Sequence, residues 1–227
     1  LSADYSQVEL RVMAHFSQDK ALIDAFANSE DIHSRTASLV FNVPLNMVSS
    51  EMRRTAKVVN FGIMYGAGAF RMSQELGILR VEAVAIIENY FKQYPGIQDY
   101  INLTLEKARN EKYVETILGR KRPIWDADSA NGLRRQAAER MAINMPIQGS
   151  AAEMIKLAMT NIHQGIIEQK LESKMVLQIH DELLFEFPEE EEEALLELVI
   201  NKMENAMKLS VPIVVDYGIG LSWYEAH

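Results

Sequence analysis

Strand-forming segments lie at the two ends of this chain, with a helical block between them. Residues 1–5 are short and extended, and Val8 to His15 reads as helix. From residue 20 to 118 the period is helical. Ala21, Leu22, Ala25 and Phe26 form one apolar stripe, and Val84, Ile87, Tyr90 and Phe91 another. Pro95-Gly96 separates two such helices. Gly119 to Gly132 reads as a basic, irregular loop. Helix resumes near Leu133, is interrupted around Pro146 and runs on to about Gln169. In the last third, Met175-Val176-Leu177 and Leu183-Leu184-Phe185 flank Ile179-His180-Asp181-Glu182, the pattern of a β-hairpin with a polar tip. Pro188 ends the second strand, Glu189 to Leu209 reads as an amphipathic helix and Val211 to Gly218 as a closing strand. The expectation is an α+β fold: a small antiparallel sheet with helices, and a largely α-helical part inserted into it.

Composition narrows the class without deciding it. With 227 residues, 48% hydrophobic and 24% charged, the chain can bury the core of one large domain or two small ones. No stretch reaches the roughly 18 apolar residues of a membrane span, no secretory leader is visible at Leu1-Ser2-Ala3-Asp4, and the absence of cysteine excludes disulfides and thiolate zinc sites. A cytoplasmic protein fits these features. The net charge of −9 argues, by itself, against a nucleic-acid binder. Its placement argues otherwise. Glu189 to Glu193 is an acidic run suited to a solvated first helical turn, while Arg53, Arg54 and Lys57, then Arg120, Lys121, Arg122, Arg134, Arg135 and Arg140, gather positive charge mid-chain.

Three constellations carry chemistry. Arg53, Lys57, Phe61 and Tyr65 recur every fourth residue, which aligns them along one stripe of a helix about 18 Å long. Two cations near the positive end of the helix suit phosphates, and two aromatics suit a sugar and base, so the stripe matches a nucleoside triphosphate in length and polarity. An amphipathic helix with aromatics toward the core and cations toward water fits the same pattern. Gly62 or Gly66 could end that helix. The second constellation is Asp4 and Asp181, one closing a short strand and one at a hairpin tip. Carboxylates on adjacent strands can hold two Mg²⁺ ions for in-line phosphoryl transfer. Equally, Asp4 suits a helix N-cap and Asp181 a turn. Third, Arg140, Asn144 and Gln148 present donors at a spacing of four, suited to acceptors of the DNA minor groove or to a plain polar helix face.

Taken together, these segments resemble the three motifs of family A DNA polymerases of the bacterial DNA polymerase I type, in order and across essentially the whole chain. Asp4-Tyr5-Ser6-Gln7-Val8-Glu9-Leu10-Arg11 resembles motif A, Arg53 through Gly66 motif B, and His180-Asp181-Glu182 motif C. Asn144 to Gly149 and Ser222-Trp223-Tyr224 resemble the bacterial enzymes as well. The resemblance implies a palm in two parts, residues 1–16 and 146–227, with largely helical fingers at 17–145 inserted, and with the thumb and exonuclease-like domains absent. It implies template-directed DNA synthesis in replication and repair, with Mg²⁺ (or Mn²⁺) as cofactor and with primer–template DNA and dNTPs as partners of a monomer. Asp4 and Asp181 would be catalytic carboxylates holding two ions, with the Tyr5 carbonyl as a further ligand and Glu182 beside them. Lys57 would be the proton donor to pyrophosphate. Arg53, Lys57 and His33 would hold the triphosphate, Phe61 the deoxyribose and Tyr65 the template-side stack. Glu9 would reject a ribose 2′-hydroxyl, with Gln7 also on the nucleotide side. Arg140, Asn144, Gln148 and His180 would contact primer–template.

Because the segments expected before motif A are missing, the chain is expected to be a fragment that extends a primer poorly alone. Three rival readings follow from the same residues. One is a non-catalytic nucleotide- or DNA-binding module, against which the intact Asp4, Asp181, Arg53 and Lys57 count. Another is a single-subunit RNA polymerase relative, against which Glu9 with Phe61 counts. The last is a two-metal nuclease, which has no need of the Arg–Lys–Phe–Tyr stripe.

Overall fold

The computed structural model describes residues 1–226. The chain begins with β1 (Ser2–Tyr5), α1 (Val8–Ser17), α2 (Lys20–Ala27), α3 (Ile32–Phe41) and α4 (Ser50–Met64). It continues through α5 (Ala69–Leu76), α6 (Arg80–Gln93), α7 (Pro95–Glu111) and a small hairpin, β2 (Tyr113–Glu115) with β3 (Lys121–Pro123). A long helix, α8 (Gly132–Gln169), leads to β4 (Lys174–Ile179), β5 (Glu182–Glu186), α9 (Glu192–Glu204), β6 (Val215–Gly218) and a short α10 (Trp223–Ala226). The fold is α+β, with the four-stranded sheet built from the two ends of the chain and a small hairpin within the helical block. Among the described residues, no helix is long and apolar enough to cross a membrane.

Two compact units divide the chain: residues 1–12 with 150–227, and residues 13–149. In the first, four antiparallel strands run in the order β4-β5-β1-β6. The N-terminal strand is thus interior to the sheet, with Asp4 opposite Glu182 on one side and Asp216 on the other. Strand alternation sorts the two faces. Ala3, Tyr5, Leu183 and Phe185 are buried together with Leu195, Val199 and Met203 of α9, and the Tyr5 hydroxyl donates to the Met203 carbonyl at 2.8 Å. Ser2, Asp4 and Glu182 fall on the opposite face. Gly165 of α8 allows close approach of Leu198, because a β-carbon there would collide with that leucine side chain.

In the second unit, α3 packs on α4 and α6, and α5 on α6. The β2–β3 hairpin seats Val114 and Ile124 against Ala108 of α7 and Ala138 and Ala142 of α8. Pro95 opens α7 at its first position, where the missing N–H is harmless. Ser49 caps α4 by accepting from the Met52 amide at 3.2 Å. At the other end of α4, the Ala67 amide donates to the Gly62 carbonyl and the Gly66 amide to the Ile63 carbonyl, with Gly66 at φ +68°. This is a Schellman ending, so Gly66 and not Gly62 stops the helix. A β-carbon on Gly66 would lie 3.2 Å from the Arg140 Cγ and 3.3 Å from the Ile143 Cδ1. Gly66→Ala is therefore expected to lower stability by about 1–2 kcal/mol, read as an earlier midpoint in urea unfolding. An unchanged midpoint would contradict both constraints.

Five sequence expectations need correction. Helix α8 is continuous through Pro146. Proline removes one backbone hydrogen bond, and buried Ala142, Ile143 and Ile147 hold the helix on either side of it. The stretch expected as a loop from Gly119 contains β3, whose exposed Lys121-Arg122-Pro123 has no apolar alternation to announce a strand. The helix expected to start at Glu189 begins with a 3₁₀ turn (Glu189–Glu191), and α9 then ends at Glu204, where the Asn205 side chain turns back onto the Asn201 carbonyl. The closing strand starts at Val215, after Pro212, whose carbonyl accepts from Arg11. Finally, Glu191 in the acidic run is more than solvated surface. Its carboxylate accepts from Ser173 Oγ and from the Glu172 and Ser173 amides, and these bonds hold its pKa below the usual glutamate value.

Candidate functional site

The sheet unit holds the acidic residues. Asp4 is half-buried at the end of β1, and Asp181 half-buried at the tip of the β4–β5 hairpin. The hairpin closes with the two-residue loop His180-Asp181, which needs positive φ, and His180 supplies it at +54° while its ring stays exposed. The Tyr5 amide donates to the Asp181 carbonyl at 3.3 Å, so the segments carrying the two aspartates are directly bonded. Both positions offer oxygen donors only, with the Tyr5 carbonyl between them in sequence. That is the chemistry hard divalent cations such as Mg²⁺ and Mn²⁺ select.

Glu182, expected beside the metal ions, is held by neighbouring side chains. It is 4% exposed, and its Oε1 accepts from Ser2 Oγ at 2.5 Å and from Trp223 Nε1 at 2.9 Å. Among the described residues, no three His, Cys, Asp or Glu side chains gather as a metal site. Through Trp223, the Glu182 carboxylate ties the sheet to the C-terminal segment. The turn from β1 into α1 is braced as well. Gln7 sits at φ +54°, and the Ser6 amide donates to the Val214 carbonyl at 2.9 Å. Arg11 donates from Nε to the Ser6 carbonyl at 2.7 Å and from a terminal nitrogen to the Pro212 carbonyl at 2.6 Å. Burial lowers the Arg11 pKa, with Asp216 and Glu204 opposing. Gln7 Oε1 is buried without a hydrogen-bond partner, and Glu9 is half-buried in the first turn of α1.

The helical unit holds the cation–aromatic stripe. On α4, Arg53 and Lys57 are exposed, Phe61 is half-buried, and Tyr65 caps the C-terminal end. The Phe61 ring lies 5.9 Å from the His33 ring and 5.9 Å from the Tyr65 ring. A groove of about 410 Å³ runs along this face, lined by Arg54, Lys57, Phe61, Gly62, Tyr65 and Arg71. The aromatics thus line a groove and are not sunk in the core. No acid pairs with Lys57 among the described residues. Arg53 is paired: its Nε lies 2.5 Å from Asp31 Oδ2. Asp31 also caps α3, accepting from the His33 amide at 3.0 Å and from Ser34 Oγ at 2.8 Å. Burial would raise the Asp31 pKa, but these donors outweigh it and the net direction is down. An exposed pair of this kind is weak enough to exchange for another anion.

His33 is 3% exposed. Burial lowers its pKa to about 4, aided by Arg53 and Lys57 and opposed by Asp31. Along α8, Arg140 and Asn144 are half-buried and Gln148 is exposed, at one residue per turn. Asn144 Oδ1 is buried without a hydrogen-bond partner. A second cavity of about 620 Å³ lies between Gly66, Phe70, Val84, Phe91, Arg140 and Ile143. Sequence reasoning gave no role to Ser2, Arg11, Asp31, Thr36 or Asn60, which support these groups. Their partners are far away in the chain, so no local spacing marks them.

Comparison with known proteins agrees with this geometry. The profile of DNA polymerase family A matches residues 1–225. The chain is 49% identical over 225 residues to DNA polymerase I of Caldicellulosiruptor bescii and 48% identical over 225 residues to that of Bacillus subtilis, in each case 99% of this chain and 26% of the relative. It thus spans about a quarter of the length of these curated relatives. Among solved structures it is similar to the POL domain of Pol1 from M. smegmatis in complex with DNA primer-template and dNTP, with TM-score 0.97, 47% identity, and coverage of 99% of this chain and 40% of that one. The chain belongs to DNA polymerase family A.

Proposed function

We propose that the chain carries the nucleotide-selecting and nucleotidyl-transfer parts of a DNA-directed DNA polymerase, adding dNTPs to a primer 3′-hydroxyl with release of pyrophosphate. The observation that carries this reading is the α4 stripe. Exposed Lys57 lines one groove with Phe61 and Tyr65, and exchangeable Arg53 lies one turn before Lys57 on the same helix, an order that matches the phosphates-then-nucleoside polarity of the substrate. The first unit is then the palm and the second the fingers. Asp4, Asp181 and the Tyr5 carbonyl would hold two Mg²⁺ ions, which supply charge neutralisation at the attacking and leaving oxygens. Lys57 donates a proton to the departing pyrophosphate, and Arg53 exchanges Asp31 for a phosphate. Phe61 packs on the deoxyribose, and Tyr65 holds the template-side stack. Arg140, Asn144, Gln148 and His180 contact primer–template, and the unpartnered Asn144 oxygen has hydrogen-bonding capacity in reserve for that role. The protein works as a monomer in the cytoplasm, where bacterial DNA lies.

Glu9 distinguishes this reading from an RNA polymerase. Its half-buried carboxylate at the start of α1 would serve to reject a ribose 2′-hydroxyl. Glu9→Ala is expected to raise ribonucleotide incorporation by roughly 10²-fold in competition with dNTPs, measured on the full-length gene product. A wild-type enzyme that prefers rNTPs would refute the assignment to DNA synthesis.

A further inference from the structure

Behind the stripe, three buried polar side chains of α3 and α4 form a line. Thr36 Oγ1 donates to Asn60 Oδ1 at 3.1 Å, and Asn60 Nδ2 lies 3.0 Å from His33 Nδ1. Thr36 is 0%, Asn60 1% and His33 3% exposed, so each group depends on these partners and not on water. The direction of the line follows from proton counting. The Tyr94 hydroxyl lies 3.5 Å from Thr36 Oγ1 and has no other acceptor among the described residues. Its proton therefore goes to Thr36, whose own proton goes to the Asn60 oxygen. The Asn60 amide is left facing His33 with its NH₂. Turning that amide over would reverse every donor in the line and strand the Tyr94 proton in the core.

We propose that Asn60, anchored by Thr36, is a positioning residue that holds His33 as the neutral imidazole with its proton on Nε2. Nδ1 must accept from Asn60, so the other nitrogen carries the hydrogen. His33 then presents an N–H donor at all times, which suits a phosphate oxygen and excludes a metal from that nitrogen. The inference rests on the reading of His33 as a triphosphate-side residue. Fixing the tautomer in advance removes the need to select it at each binding event. The burial that disfavours the imidazolium, with Arg53 and Lys57 adding to it, keeps the ring neutral at physiological pH.

Long-range ¹⁵N–¹H NMR of the His-labelled full-length gene product tests this, with His33→Gln identifying the signal. The wild-type ring is expected to show the Nε2–H tautomer at neutral pH, and an Nδ1–H ring or a mixture overturns the proposal. Asn60→Asp replaces the donor with an acceptor. It is expected to move the proton to Nδ1, and to raise KM for the dNTP by about tenfold with little change in kcat. An unchanged tautomer in that variant overturns the relay. A switched tautomer with unchanged KM supports the relay and overturns the phosphate role of His33 instead, so the two failures are distinguishable. Thr36→Val, nearly isosteric and uncharged, covers the case in which a buried aspartate prevents folding. Loss of its anchor should give a mixed tautomer, and a pure Nε2–H ring would contradict anchoring by Thr36.

Discussion

Asp181→Asn is expected to abolish nucleotide addition, a loss of about 10³-fold or more, while primer–template binding stays close to wild type. Asparagine has the shape of aspartate and fits the same two-residue hairpin loop, so the β4–β5 tip and the Tyr5–Asp181 backbone bond survive the change. What disappears is one negative charge from a site proposed to gather two divalent cations against a triphosphate. Glu182 is already engaged, its Oε1 accepting from Ser2 and Trp223. Binding of DNA is proposed to draw on other residues, chiefly the α8 row of Arg140, Asn144 and Gln148. Rapid-quench extension and a binding titration with labelled primer–template separate the two effects. Loss of binding in step with loss of addition would mean that Asp181 supports the fold and not the chemistry.

Phe61→Tyr is expected to raise dideoxynucleotide incorporation by orders of magnitude with little effect on dNTP use. In the proposed role, Phe61 would offer the sugar an apolar ring edge in a groove whose neighbouring aromatics are His33 and Tyr65. With phenylalanine, a nucleotide lacking its 3′-hydroxyl leaves a hydrogen bond unmade that the protein cannot supply. A phenolic oxygen on the same ring restores a polar partner there. Half-burial leaves room for it. The ratio of dideoxy- to deoxynucleotide incorporation in a single-nucleotide primer-extension assay reads the effect directly, and an unchanged ratio removes Phe61 from the sugar site.

Much of this arrangement is legible in sequence because its signals are local. The four-residue spacing of Arg53, Lys57, Phe61 and Tyr65 places them on one face whatever the helix packs against, and the paired apolar runs around His180-Asp181 specify a hairpin with the aspartate at its tip. The placement of strands at both ends is legible for the same reason, and β1 does lie within the sheet between β5 and β6. What escapes is what depends on partners distant in the chain. Asn60 adjoins Phe61, yet its partners Thr36 and His33 lie on another helix. Arg11 reaches Pro212, and Glu182 reaches both Ser2 and Trp223. The β2–β3 hairpin is hidden for a different reason. Its strands are only three residues long, and of their side chains Val114 alone is buried, which is too short an alternation to read, while Lys121 lies 4.2 Å from the centre of the Tyr113 ring on the exposed side. Proline at 146 misleads because the breaking tendency of one residue is outweighed by the buried turns flanking it.

The central claim is that the acidic sheet and the cation–aromatic helix serve one templated transfer of a nucleotide. Single-turnover addition by the full-length gene product on a primer–template, with Mg²⁺ and each dNTP in turn, tests it most directly. The account predicts extension by one nucleotide complementary to the template base, with one pyrophosphate released per addition and neither product formed by Asp181→Asn. Tight binding of primer–template and dNTP without extension, or extension indifferent to the template base, would contradict it.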